Sequence, residues 1–133
     1  MTRINLIQPS ELCDQHLLAE HRELTRIPNE IARREGNVTL STSEKYLLGK
    51  GHVIFFRDKL LFLKKRYEAI HQECLNRGFS VVNRWPESVS VYHHLWNDYQ
   101  VTEEDISVNM ARIKERMPIK ARFSPCFDKK INE

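Results

Sequence analysis

The sequence predicts an all-α fold of three main helices joined by long irregular connections. Three observations lead there. Three separate runs repeat their apolar residues at steps of three, four or seven, the period of one helix face. Only one short stretch alternates like a strand. With 41% hydrophobic residues, 4 Gly and 5 Pro in 133 residues, the chain can bury a core and is neither low-complexity nor disordered. That length is one domain, taken as residues 1–133.

The first run places Leu17, Leu24, Ile27 and Ile31 on one stripe, predicting a helix from Ser10 or Asp14 to about Arg34. Both Ser10 and Asp14 suit an N-cap, Pro28 predicts a kink or break, and Gly36-Asn37 is a stop. The second run, Val53, Phe56, Leu60, Leu63, Tyr67, Ile70 and Cys74, steps by three and four without a miss. Its predicted end is Arg77-Gly78, a cation followed by a C-terminal glycine. The third has Ile106, Met110, Ile113 and Met117, opens on a capping box from Thr102 to Asp105, and ends at Pro118. Ser88–Tyr92 alternates and suits a short strand or a loop.

Composition excludes several classes. Cys13, Cys74 and Cys126 are odd in number and far apart, against a disulfide framework or a zinc cage and in favour of reduced thiols in a cytosolic protein. His16 and His21 have no metalloprotease spacing, and His93-His94 read as surface or packing residues. A zinc site is not expected from these spacings. The N-terminus lacks a signal-peptide run, and Val53–Phe56 and Leu60–Leu63 are too short to span a bilayer. The net charge of +3 is modest, but its distribution is uneven. Residues 44–79 carry eight Lys/Arg against four Asp/Glu and residues 112–130 seven against two, whereas residues 80–111 carry one against five. Lys64-Lys65-Arg66 reads as a solvated face, and Trp85, Trp96, Phe55, Phe56 and Phe62 as core.

The first helix carries the most chemistry. Gln15, Ala19, Arg22 and Arg26 fall on one stripe, with His16 and Glu23 on the adjacent row. Two guanidiniums, a carboxylate, an amide and an imidazole thus share a face, and Ala19 leaves room between them. Burial would raise the pKa of Glu23 and the arginines would lower it. The same pattern also suits a solvated face with local ion pairs such as Glu23 with Arg26. Residue 2 is threonine, small enough for Met1 to be removed, which would leave a free α-amine with a pKa of roughly 8.

A resemblance to a known family rests on Met1–Leu6, Ser10-Glu11-Leu12, Asp14-Gln15-His16-Leu17, Ala19-Glu20 and Arg22-Glu23-Leu24. It continues through Gly51-His52-Val53, Phe55-Phe56, Asp58-Lys59-Leu60, Phe62-Leu63, Lys65-Arg66 and Glu73–Phe79, and more faintly through Asp98-Tyr99 and Ala111–Arg116. In these segments the chain resembles the phage-type pyrimidine-dimer DNA glycosylases, the endonuclease V type of UV-repair enzyme. It differs in carrying His21 and Thr25 where members often have an aromatic or a proline, and in the segment after Met117.

The resemblance implies a three-helix domain with the N-terminal segment packed against the helices. It places the nucleophilic amine on Thr2 and the essential carboxylate on Glu23. Phosphate and lesion contacts fall on Arg3, Arg22 and Arg26, with Gln15 and His16 lining the pocket and Arg112 and Arg116 adding basic DNA contacts. The implied partner is double-stranded DNA bearing cis-syn pyrimidine dimers or abasic sites, acted on in the cytoplasm by a monomer. The implied reaction is a Schiff-base glycosylase step followed by β-elimination at the abasic site, with no metal or organic cofactor. A non-catalytic module that binds damaged DNA, or the same chemistry on another damaged base, is the competing expectation.

Overall fold

The apolar stripes of the sequence converge on one core. In the computed structural model, which describes residues 2–124, five α-helical segments follow one another. They are α1 (Asp14–Glu23), α2 (Arg26–Arg33), α3 (His52–Phe56), α4 (Leu60–Asn76) and α5 (Glu103–Glu115). No strand occurs among the described residues, so the fold is all-α. No helix among them is long and apolar enough to cross a membrane. Leu17, Leu24, Ile27 and Ile31 meet Phe56, Leu60, Leu63, Tyr67, Ile70 and Cys74 in one cluster.

Two of the expected helices are each divided in two, and both divisions have a physical cause. The first break falls at Leu24-Thr25, upstream of Pro28. Proline has no N–H to donate to the carbonyl of residue 24, and its ring crowds that carbonyl, so the helix reopens one turn before the proline. Pro28 then sits in the first turn of α2, where no donor is required. The second break falls at Arg57–Lys59. Lys59 leaves the helical region (φ −124°, ψ 45°) to bridge to Trp96, and its Nζ donates to Phe55 O at 2.9 Å. The Asn97 side chain donates to Asp58 O at 2.8 Å, so this corner is held by the 93–99 connection.

Helix ends agree better with the sequence. Gly78 lies at φ 89°, and Phe79 N donates to Cys74 O at 2.9 Å while Gly78 N donates to Leu75 O at 3.0 Å. These two bonds close α4 as a Schellman motif. The Thr102–Asp105 capping box is present at the start of α5. At α1 neither expected cap operates. The helix begins at Asp14 after Cys13, and Ser10 lies in a 3-10 turn. The Asp14 carboxylate instead accepts from Arg77 Nη1 at 2.9 Å and from Ser124. Those hydrogen bonds hold Asp14 below the usual carboxylate range against the opposing effect of burial.

Ser88–Tyr92 forms no strand and lies largely within a 3-10 turn, Glu87–Val91. Trp85 is buried and Trp96 packs on the core, as read from the sequence. Cys13 and Cys74 are buried free thiols, and burial pushes Cys74 up to about 11. Cys126 lies outside the described residues.

His21 is buried against Tyr67, and its Nε2 lies 3.0 Å from Nδ1 of His71. Burial, then His71, then Arg84 hold its pKa below the ordinary histidine value. A histidine kept neutral in the fold but free to protonate when unfolded contributes stability above the unfolded pKa, and that contribution is lost as pH falls through the folded one. Thermal unfolding midpoints should therefore fall between pH 7.5 and 5.5, and His21→Phe should flatten the decline. A flat wild-type profile over that range would contradict this role.

Candidate active site

A cleft of about 300 Å³ opens between α1, the N-terminal segment and the last turns of α5. The α1 wall is His16, Ala19, Glu20 and Glu23, one helix row at steps of three, one and three. Arg3 and Asn5 form the second wall, and Arg112, Ile113 and Arg116 the third. Residues from the two ends of the chain therefore complete a site that α1 begins.

Two carboxylates face this space, and their partners separate them. Glu20 is fully engaged. It accepts from Arg66 Nε at 2.8 Å and Nη2 at 3.1 Å, from Asn5 Nδ2 at 2.8 Å and from Asn5 N at 3.3 Å. Its side chain is 1% exposed and that of Arg66 8%. Arg66 also donates to Ile7 O at 2.5 Å, so it is a buried structural cation and not the solvated charge its run suggested. Glu23 has a side chain 15% exposed and, among the described residues, one hydrogen-bonding contact, Arg22 Nη2 at 3.4 Å. A carboxylate so enclosed with so few donors keeps its lone pairs available for proton transfer. Arg22, not Arg26, is its ion-pair partner.

The opposite wall is cationic and underfilled. Arg3 Nη1 and Arg112 Nε are buried donor atoms with no hydrogen-bond partner among the described residues, Arg112 Nε having only the Glu115 carboxylate at 3.4 Å. Burial and the proximity of Arg112 and Arg116 hold the Arg3 guanidinium below its ordinary value. Donors clustered without acceptors, in a site where positive charges repel one another, are matched by an incoming anion with several acceptor oxygens. Among the described residues no group of three or more His, Cys, Asp or Glu could hold a metal ion.

The structure sorts the sequence-derived residues. Arg3, His16, Glu23, Arg112 and Arg116 share the cleft. Thr2 is half-buried and immediately precedes Arg3, but is not part of the lining. Gln15 does not line the pocket. Its amide donates to Lys120 O at 2.8 Å and accepts from Arg122 N at 3.1 Å, which fastens residues 120–124 across the start of α1. His16 Nε2 makes a similar contact, 3.1 Å from Arg116 O. The break at Leu24-Thr25 separates Arg26 from the cleft row, and Arg22, although in α1, is not in the lining. Both are exposed beside it.

Two groups were not singled out from sequence. Asn5 lines the cleft and is 4% exposed. Asn109 is fully buried, donates to Asn5 Oδ1 at 2.8 Å and accepts from Leu6 N at 2.7 Å. The buried row of α5 is Asp105, Asn109 and Ile113, whereas Met110 and Met117, expected on the inner stripe, are 42% and 40% exposed. Asp105 is tied up by its capping box and by the Tyr99 hydroxyl, and Tyr99 is pushed up to about 12 by burial and by that carboxylate.

A cleft with three arginines from two segments and one lightly engaged carboxylate suits an anionic polymer and acid–base chemistry. The chain belongs to the pyrimidine dimer DNA glycosylase family, which its residues 1–87 match. The match includes Thr2, Arg3, Glu23 and the α1 row. The α5 wall, with Arg112 and Arg116, lies beyond it.

Proposed function

We propose that this protein excises cis-syn cyclobutane pyrimidine dimers from duplex DNA and then cuts the strand at the resulting abasic site. The observation that carries the reading is the contrast between the two cleft carboxylates: Glu20 is saturated by four donors, and Glu23 is enclosed with one weak contact facing a cationic wall. Family membership supports DNA as the polymer and a pyrimidine dimer as the lesion.

In this reading the α-amine of Thr2, freed of Met1, attacks C1′ of the sugar on the 5′ side of the dimer. The N-glycosidic electron pair leaves with the base, and loss of the amine proton with opening of the sugar ring gives the imine. Glu23 stabilises the cationic sugar and moves protons. A proton then leaves C2′, the 3′ phosphate departs by β-elimination, and water hydrolyses the imine to release the enzyme. Arg3, Arg112 and Arg116 contact phosphate inside the cleft, and Arg22 and Arg26 extend that contact outside it. The dimer already weakens stacking, so kinking the duplex and extruding a base cost less there than in intact DNA. The protein acts as a monomer in the compartment that holds the DNA.

Borohydride trapping on two duplexes, one bearing a thymine dimer and one an abasic site, tests this directly. A reduced adduct mapped to Thr2 on both is the expected result. An adduct on the abasic duplex alone would keep the lyase chemistry and move the glycosylase step to another damaged base. No adduct on either, from protein shown to begin at Thr2, would leave a DNA-damage binding module.

A further inference from the structure

The segment that carries Thr2 belongs to no helix, so its backbone groups must find partners elsewhere. Ile4 shows how. Its N–H donates to Nε2 of His52 at 2.7 Å, and its carbonyl accepts from the Tyr46 hydroxyl at 2.8 Å. The other ring nitrogen of His52, Nδ1, lies 2.7 Å from Leu47 O. A carbonyl can only accept, so Nδ1 carries the proton, and Nε2 must be bare to accept from Ile4. The ring therefore works in one state only, the neutral Nδ1–H tautomer. A second proton would set N–H against N–H at the point where the N-terminal segment is tied down.

The surroundings enforce that state. His52 is 4% exposed and meets Tyr46 and Phe56 edge-on, each at 5.4 Å between ring centres. The charged groups facing it are Arg3 from the N-terminal segment and Arg112 from α5, and both oppose a second positive charge. Tyr46 is the titratable group facing it from the preceding connection, and burial keeps that phenol protonated. Among these groups only the Leu47 carbonyl favours protonation, and burial outweighs it, so the pKa of His52 lies below the ordinary value.

We propose that His52 is a positioning residue for the Thr2 amine, its neutral ring latching the backbone of Ile4 and so fixing how the preceding two residues reach the cleft. This rests on the Thr2 reading above. A latch two residues from the nucleophile controls its placement, and misplacement of about 1 Å can cost roughly 100-fold in rate. Protonating the ring opens the latch.

The test has one arm that does not depend on activity. In the wild-type protein, ¹⁵N NMR should show the Nδ1–H tautomer, and the exchange protection of the Ile4 amide should collapse as the ring titrates. An Nε2–H tautomer, or Ile4 protection indifferent to that titration, overturns the latch. The second arm is trapping on an abasic duplex. His52→Phe, which has no acceptor, should trap roughly 10- to 100-fold more slowly with duplex affinity unchanged. His52→Gln, whose amide oxygen can accept from Ile4, should restore most of the rate. Below the latch's titration, log rate against pH should fall with a slope approaching two in wild type (amine and latch) and one in His52→Gln. Equal slopes, or wild-type trapping by His52→Phe, would overturn the positioning role. Absence of any wild-type adduct would instead defeat the Thr2 reading, while the NMR arm would still decide whether His52 latches Ile4.

Discussion

Glu23→Gln should bind a dimer-bearing duplex about as well as wild type and lose base excision by roughly 100- to 10,000-fold, the range for removing a positioned general acid–base group. The substitution keeps the shape of the side chain and its contact with Arg22. It removes the negative charge and the ability to accept a proton, while the cationic wall of Arg3, Arg112 and Arg116 stays in place. Single-turnover kinetics at saturating enzyme separate these effects. A rate within a few-fold of wild type would remove Glu23 from the chemistry. A matching loss of affinity would make its role one of binding.

Arg66→Met should be the most destabilising substitution in the site, by about 3–5 kcal/mol, because it strands a buried carboxylate. Glu20 would keep only the two donors of Asn5, with its side chain 1% exposed. The N-terminal segment would also lose the bond from Arg66 to Ile7 O. Denaturant unfolding measures the loss. The double variant Glu20→Leu with Arg66→Met should recover part of it, since it removes the stranded charge together with its partner. A loss below about 1 kcal/mol in the single variant would mean that the pair is solvated, as ordinary surface pairs are.

How much of this was legible in the sequence depended on whether apolar periodicity reported it. The stripes of α1–α2 and α3–α4 were legible because Leu, Ile, Phe and Tyr recur on one face, and that face stays continuous across both breaks. The breaks themselves were harder. Pro28 signalled one, but its effect falls at the carbonyl four residues earlier. The one at Lys59 depends on Trp96 and Asn97, far along the chain. The α5 stripe was misplaced because its inward row is polar: Asp105 and Asn109 are buried through specific hydrogen bonds, which hydropathy cannot see. Their spacing of four, in phase with Ile113, was the available signal.

The site divides in the same way. His16, Ala19 and Glu23 were placed together by helix geometry alone. Arg3, Arg112 and Arg116 came from the family resemblance, and the fold brings them to the same cleft. Gln15 is a pocket residue by the resemblance, but the segment that packs across the start of α1 takes up its amide at Lys120 and Arg122. Arg66 was hidden in a basic run, since one cation of a cluster can turn inward when its acid lies 46 residues away.

The anchoring of the N-terminal segment has a consequence for the making of the protein. Its partners lie far downstream: Tyr46 and His52 for Ile4, Arg66 for Ile7, and Asn109, 103 residues from Leu6. At a ribosomal pace of roughly 5–20 residues per second, Leu6 is polymerised about 5–20 s before Asn109. The N-terminal segment is thus fully anchored only once α5, which also supplies the third wall of the cleft, has been made.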